Sequence, residues 1–224
     1  MLATLSRRYG LLFIHGRATG STAVHDAMEA HLEGESVPSE RVVGEDESIL
    51  VARHSNLPTL MRHGHVNQEE RSRLLVFTTV RNPFDHVVST YFKRRAIVDG
   101  RLARPNAILT TRRVESLEES VKQTFEQWIL QRWRRPGPLG RFRGPVSWRY
   151  GHTKDVDQVL RFEQLQVDFD ALLARVGYQG TIELGLVNTT PGREPDYRRY
   201  YTARAQRHVE QAWRAELDRY GYGF

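Results

Sequence analysis

Three short apolar runs narrow the folds open to this chain more than any other feature: Leu11-Leu12-Phe13-Ile14, Leu74 through Val80, and Val159-Leu160 leading to Phe162. Each is short for a helix and lacks the polar alternation of a strand with one wet face, so each reads as a strand buried on both sides. Helical spacing fills the gaps between them. Val24, Ala27, Met28 and Leu32 share a face in the segment from Ser21, and Phe84, Val87, Val88 and Tyr91 share one after Pro83. Further helices are predicted around Phe125, Trp128 and Ile129, over Phe169, Leu172, Leu173 and Val176 up to Gly177, and from Ala205 to Tyr220. Strands alternating with crossover helices give the fold class α/β, a central parallel β-sheet flanked by helices. A length of 224 residues suits one large domain or two small ones. No internal repeat divides the chain, so 1–224 is read as a single domain.

Composition removes several chemistries. The chain has no cysteine, which excludes disulfides, thiolate metal sites, Fe–S clusters and a cysteine nucleophile. No apolar run approaches a membrane span and Met1 to Arg8 lacks a signal-peptide core, so a soluble, cytoplasmic protein is expected. The 33 basic and 27 acidic side chains leave a net charge of +6, and only Lys93, Lys122 and Lys154 are lysines. Such an arginine bias fits codon usage in a GC-rich genome, and equally fits recognition of phosphate or sulfate, which arginine grips bidentately. Charge is also segregated: eight acids from Asp26 to Glu47, seven bases from Lys93 to Arg113, and six arginines with no acid from Arg132 to Arg149. The bases are not interleaved with a nucleic-acid-binding motif, so no nucleic-acid partner is expected.

Two segments carry chemistry. Phe13-Ile14-His15-Gly16-Arg17-Ala18-Thr19-Gly20-Ser21-Thr22 is a strand, a tight loop and a helix start. Such a turn aims successive backbone N–H groups at one point, at the positive end of the helix dipole. Gly20 permits close approach of an anion, and Ser21 and Thr22 can add hydroxyl donors. The same pattern also describes an ordinary helix capped by Ser or Thr. It is not a Walker A loop, since Gly16 and Gly20 stand one residue too close and the lysine is missing. In Thr78 through Tyr91, Arg81 ends the second strand and Ser89 follows on the next helix. Ligands of parallel sheets collect outside such strand ends, so this pair could hold a second phosphate; alternatively Arg81 pairs with Asp85 and Ser89 merely caps.

Together these segments resemble the sulfotransferases that use 3′-phosphoadenosine 5′-phosphosulfate (PAPS). The 5′-phosphosulfate loop of that family reads like F-I-H-x-P-K-T-G-G-T, where this chain has Phe13-Ile14-His15-Gly16-Arg17-Ala18-Thr19-Gly20-Ser21-Thr22. Its 3′-phosphate motif reads like V-R-N-P-x-D-R-x-V-S-x-Y, matched by Val80 to Tyr91 except at His86. Val159 to Leu165 is similar to the family's later strand, and Tyr200-Tyr201-Thr202 through Phe224 to its ending. Residues 33–73 and 95–145 are least covered.

The resemblance implies a P-loop-like sulfotransferase fold and transfer of a sulfuryl group from PAPS, as co-substrate, to a hydroxyl or amine of a small-molecule or carbohydrate acceptor, with no metal. Carried over residue by residue, Thr19, Gly20, Ser21 and Thr22 cradle the phosphosulfate, while Arg81 and Ser89 read the 3′-phosphate. The family's loop cation falls on Ala18, so Arg17, one position earlier, is the candidate to stabilise the leaving group. A base must take the acceptor's proton; His54, in Arg53-His54-Ser55-Asn56-Leu57-Pro58, is the candidate. His15 and Glu163 read as structural, and His63 and His65 as loop residues and not metal ligands. The segment Arg132 to Arg149, with Trp133, Phe142, Trp148 and nearby Tyr150, could close over the nucleotide, lie in solvent or contact another copy. The rival readings are a nucleotide-dependent phosphotransferase, disfavoured by the missing lysine and Mg²⁺ carboxylate, and a non-catalytic nucleotide-binding protein, motivated by Ala18.

Overall fold

A computed structural model describes the chain apart from residues 1–2, 41, 45–48, 52–53, 103–110, 135–144, 147–149 and 186–189. It divides into two compact units, Met1–Arg81 with Tyr150–Asn188, and Asn82–Arg149 with Thr189–Phe224.

The first unit is built on the three predicted strands. They are β2 (Leu11–Ile14), β6 (Leu75–Val80) and β7 (Gln158–Arg161), and they pair in parallel. Two more strands extend the sheet beside β2: β1 (Ala3–Ser6) runs antiparallel to β2, and β3 (Glu35–Val37) antiparallel to β1. The order is β3-β1-β2-β6-β7, so the sheet is mostly parallel with one reversed strand. A separate pair, β4 (Val42–Val43) and β5 (Ile49–Val51), lies outside it.

Alternation along β2 explains why its sequence is apolar throughout. Leu11 and Phe13 pack with Phe77, with Val24 and Met28 of α1 (Ser21–His31), and with Phe169 and Leu172 of α7 (Leu165–Arg175). Leu12 and Ile14 point the other way, into a cluster with Leu5, Val76, and Leu57 and Leu60 of α2 (Leu57–Arg62). Both faces of the strand are dry, and a side chain of either parity must be apolar. After α3 (Gln68–Arg73), Asp157 ties β6 to the lead-in of β7: one carboxylate oxygen accepts the Val76 N–H at 2.7 Å and the other accepts from Arg71 at 2.6 Å. Part of the acidic run is answered locally, because Arg8 pairs with Glu33 and Arg7 with Glu35.

The second unit is helical. Its described elements include α4 (Pro83–Val98), α5 (Thr111–Lys122), α6 (Phe125–Leu130) and α8 (Ala203–Tyr220), with a 3-10 turn at Tyr197–Tyr200. Asn82 starts α4 by accepting the Phe84 N–H at 3.0 Å, while its amide donates to the Gly223 carbonyl at 2.9 Å. Tyr201 and Phe224 pack edge-on against Phe84, and Tyr91 against Phe125, so the chain's last residue completes an aromatic cluster on α4. Asp85 forms its ion pair with Arg193, each side chain only 11% exposed. Ser89, fully buried, shares a 2.9 Å hydrogen bond with Thr190. Within the arginine-rich segment Arg132 to Arg149, Arg134 forms an isolated antiparallel bridge with Pro145; residues 135–144, Phe142 among them, and Trp148 lie outside the described residues. Among the described residues no helix is long and apolar enough to cross a membrane.

Candidate functional site

The loop predicted to hold an anion is anchored within the first unit. Ala18 and Gly20 take left-handed backbone conformations, with φ of +54° and +82°. These turn the chain sharply between β2 and α1. Gly20 occupies the N-cap of α1, and no side chain caps the helix. The first-turn N–H groups therefore present partial positive charge without an internal carboxylate or hydroxyl to absorb it. A side chain at Gly20 would run into Leu165 at 2.7 Å, which makes the position doubly selective for glycine. Gly16 is demanding for a different reason. A Cβ there would stand 2.5 Å from Thr19 Oγ1, 2.7 Å from His152 Nε2 and 2.8 Å from the Thr79 carbonyl.

Two of the loop hydroxyls, those of Thr19 and Ser21, are hydrogen-bonded within the protein. Thr19 is fully buried, and its Oγ1 lies 2.7 Å from Thr79 Oγ1 and 3.2 Å from Ser21 Oγ. Ser21 Oγ donates to the Gly16 carbonyl at 2.6 Å, closing the loop on itself. These hydroxyl contacts shape the turn. Thr22 is half-buried on the first turn of α1.

Arg81 does reach the loop. Its side chain is buried to 7% exposure, and Nη1 donates to the Ala18 carbonyl at 3.2 Å. The guanidinium lies 4.1 Å above the Phe162 ring just after β7, a stacking that orients the planar fork. The Arg81 carbonyl takes the Tyr150 hydroxyl at 2.8 Å, so both ends of the residue are fixed. Arg17, in contrast, is exposed. Its charge reaches His152 and helps to keep that ring neutral.

His152 is a site residue that sequence reasoning missed. It is buried, donates Nε2–H to the Thr79 carbonyl at 3.0 Å, and packs edge-on against Tyr150. Its ring is held to about 4, mainly by burial; the Thr79 carbonyl opposes this and the Arg17 charge reinforces it. The imidazole is neutral at physiological pH. The only hint in the sequence is a histidine shortly before a strand, which is too common a pattern to single it out.

The candidate base His54 also comes to the loop. Its backbone is left-handed, with φ of +70°, and Nδ1 donates to the His15 carbonyl at 3.1 Å. That bond puts the hydrogen of the neutral ring on Nδ1. The His15 side chain points away into a buried network: Nε2 is 2.8 Å from Thr4 Oγ1, which is 2.8 Å from His25 Nδ1, and His25 Nε2 is 3.2 Å from Glu29. His15 thus has the structural place expected of it. Glu163 lies exposed in the 3-10 turn after β7. His63 and His65 flank Gly64 in a turn and join no group of three or more potential metal ligands among the described residues. Of the sequence-predicted residues, Arg17 through Thr22, His54 and Arg81 fall in the first unit, and Ser89 falls in the second.

An uncapped helix start, two left-handed loop residues and a buried arginine on the loop's carbonyl make an anion cradle at the carboxyl ends of parallel strands. Comparison with known proteins agrees in kind. No curated protein and no solved structure gives a match, whereas the model of the sulfotransferase family matches residues 3–223. With nearly its whole length matched, the chain belongs to the sulfotransferase family.

Proposed function

We propose that the protein transfers a sulfuryl group from PAPS to a hydroxyl or amine of a small-molecule or carbohydrate acceptor. The observation that carries this reading is the convergence on one loop of the uncapped α1 N-terminus and the Arg81 guanidinium. The family match spans both units, which supports treating 1–224 as one sulfotransferase-like domain.

In this reading the N–H groups of Thr19 to Thr22 bind the donor's 5′-phosphosulfate and Arg81 its 3′-phosphate. The acceptor oxygen or nitrogen bonds to sulfur as the bond from sulfur to the phosphate oxygen breaks, and adenosine 3′,5′-bisphosphate departs. The acceptor's proton passes to His54 Nε2. Charge grows on the departing phosphate, and preorganised N–H dipoles with Arg17 nearby stabilise it there. Protein side chains supply position and charge, and no covalent step on the protein is needed.

Calorimetry with adenosine 3′,5′-bisphosphate, AMP and ATP tests the donor. The bisphosphate is expected to bind tightest; a preference for ATP, or indifference to the 3′-phosphate, rejects the reading. A second reading, a nucleotide-binding protein that has lost transfer, rests on Ala18 standing where the family carries its loop cation. Labelled PAPS with a panel of acceptors separates the two, since a lack of turnover alongside tight bisphosphate binding favours the second.

A further inference from the structure

The second unit holds an open cleft of about 490 Å³ that sulfuryl transfer, as derived above, leaves unused. Helix α4 supplies Tyr91, Phe92 and Arg95 to it, the end of α5 supplies Lys122, and Phe125 and Tyr200 complete an aromatic wall. The rings form one cluster: Phe92 lies 4.8 Å from Tyr200, and Phe125 lies 5.5 Å from Tyr91 and 6.4 Å from Tyr200, centre to centre. Tyr91 and Phe125 are buried, whereas Phe92 and Tyr200 are half-buried and keep part of their surface open. Arg95 is braced through one nitrogen. Its Nη1 donates to the Val121 carbonyl at 2.9 Å, to the Tyr91 hydroxyl at 3.0 Å and, more distantly, to the Gln123 carbonyl at 3.5 Å. The edge formed by Nε and Nη2, which offers two parallel N–H groups to an oxyanion, meets no acceptor among the described residues. Elsewhere in this unit arginines find carboxylates: Arg193 at Asp85, Arg101 at Asp99 and Arg199 at Glu194. No acid is among the described residues that line the cleft. Capping of α5 accounts for Nη1. It does not account for two cations and no acid beside an aromatic wall.

We propose that this cleft binds a planar aromatic monoanion, an aryl carboxylate or aryl sulfate, with its ring against Phe92 and Tyr200 and its oxyanion on Arg95 and Lys122. The volume suits one such molecule, since small-ligand clefts span roughly 300–1,000 Å³. Aromatic rings tilted to one another accept a further ring edge-on or offset. The oxyanion meets a fork already oriented through Nη1, so little side-chain freedom is lost on binding. The lining disfavours a sugar. The Tyr200 hydroxyl takes the Glu194 N–H at 2.6 Å, the Thr124 hydroxyl takes the Gln127 N–H at 3.2 Å, and the Gln123 amide donates to Gln131 at 3.2 Å. A sugar would give up water from several hydroxyls to a wall with few partners left for them, whereas an aryl anion has one polar group and two cations to receive it. The inference stands apart from the donor assignment, because every residue it uses belongs to the second unit and none is assigned to PAPS.

Full-length protein is titrated with 2-naphthoate, 2-naphthyl sulfate, neutral 2-naphthol and glucuronate at fixed ionic strength. Calorimetry reads the affinity, and the Val121 methyl resonances of ¹³C-labelled protein read the location. At least one of the two aryl anions should bind saturably and shift Val121, with 2-naphthol about tenfold weaker; whichever anion binds tighter identifies the oxyanion. Arg95→Gln keeps a donor for the Val121 carbonyl and removes the charge, and Lys122→Gln removes the second charge at an exposed position. Each should weaken the anion by about three- to tenfold and leave 2-naphthol unchanged. Should Arg95→Gln lower the melting temperature by loosening the end of α5, Lys122→Gln decides alone. The proposal is overturned by a lack of saturable binding of both aryl anions, by equal affinity for 2-naphthol, or by tighter binding of glucuronate. Binding that leaves Val121 unmoved, or that is unaltered in Lys122→Gln, overturns it as well.

Discussion

His152 should make the protein lose stability on mild acidification. Its ring is neutral in the folded chain and held to about 4, against 6.5 for an unperturbed imidazole. A histidine with a depressed value destabilises the fold as pH falls, because the unfolded chain takes up the proton first. The loss begins near the ordinary histidine value and levels off below the folded one. With 1.36 kcal/mol per unit, the penalty grows from near zero at neutral pH to about 2 kcal/mol at pH 5 and about 3 kcal/mol at pH 4. His152→Gln keeps a donor for the Thr79 carbonyl and removes the titration. Urea denaturation of both proteins at pH 7, 6 and 5 isolates the effect as the change in the stability difference, whatever the variant costs at neutral pH. The gap should close, or reverse, in favour of the variant by about 2 kcal/mol between pH 7 and pH 5. Stability curves that run parallel across that range would refute the assignment of a buried, neutral imidazole beside Arg17.

Gly16→Ala should destabilise the first unit by about 1–3 kcal/mol and abolish bisphosphate binding, because the new methyl meets Thr19, His152 and the Thr79 carbonyl at once; thermal unfolding and calorimetry read the two effects, and a variant that binds normally refutes the tight packing of the loop. Thr79→Val preserves shape but removes the shorter of the two hydrogen bonds of the buried Thr19 hydroxyl, at an expected cost of about 1 kcal/mol in chemical denaturation. Wild-type stability in that variant means the hydroxyl pair contributes nothing. Asp85→Asn leaves the Arg193 guanidinium without its carboxylate in a site where both side chains are 11% exposed. A loss of about 3 kcal/mol is expected, and an unchanged melting temperature shows that the pair is idle.

β2 and β6 are legible in the sequence because they are buried on both faces, and a run such as Leu11 to Ile14 has no parity to misread; β7 is legible from its apolar Val159-Leu160 pair although only Leu160 is buried. β1 is invisible by the same rule. Its Ala-Thr-Leu-Ser looks like a half-wet strand or a loop, yet all four residues are buried. Thr4 is satisfied by two histidines, and Ser6 by the Leu32 carbonyl at 2.5 Å. These partners lie 11 to 26 positions away along the chain, and local patterning carries no trace of them. The site divides along the same line. Gly20 and Arg81 announced themselves because backbone freedom and a strand-end charge are local properties. The inward turn of the Thr19 and Ser21 hydroxyls depends on Thr79 and Gly16, and His152 depends on a carbonyl 73 residues away.

The buried network behind the loop has a direction. Glu29, as a carboxylate, can only accept, so a neutral His25 must carry its hydrogen on Nε2 and offer a lone pair at Nδ1. Thr4 owns one proton and spends it on that lone pair, which obliges its oxygen to accept from His15 Nε2. A charge on the outer turn of α1 thereby dictates which nitrogen of a fully buried ring is protonated, three side chains further in. Adding one proton to His25 would reverse the two hydrogen bonds at Thr4 while His25 Nε2 went on donating to Glu29: Thr4 would turn, and the hydrogen of His15 would move to Nδ1. The chain is a single-file wire with two polarities, and it ends on the residue whose carbonyl holds His54.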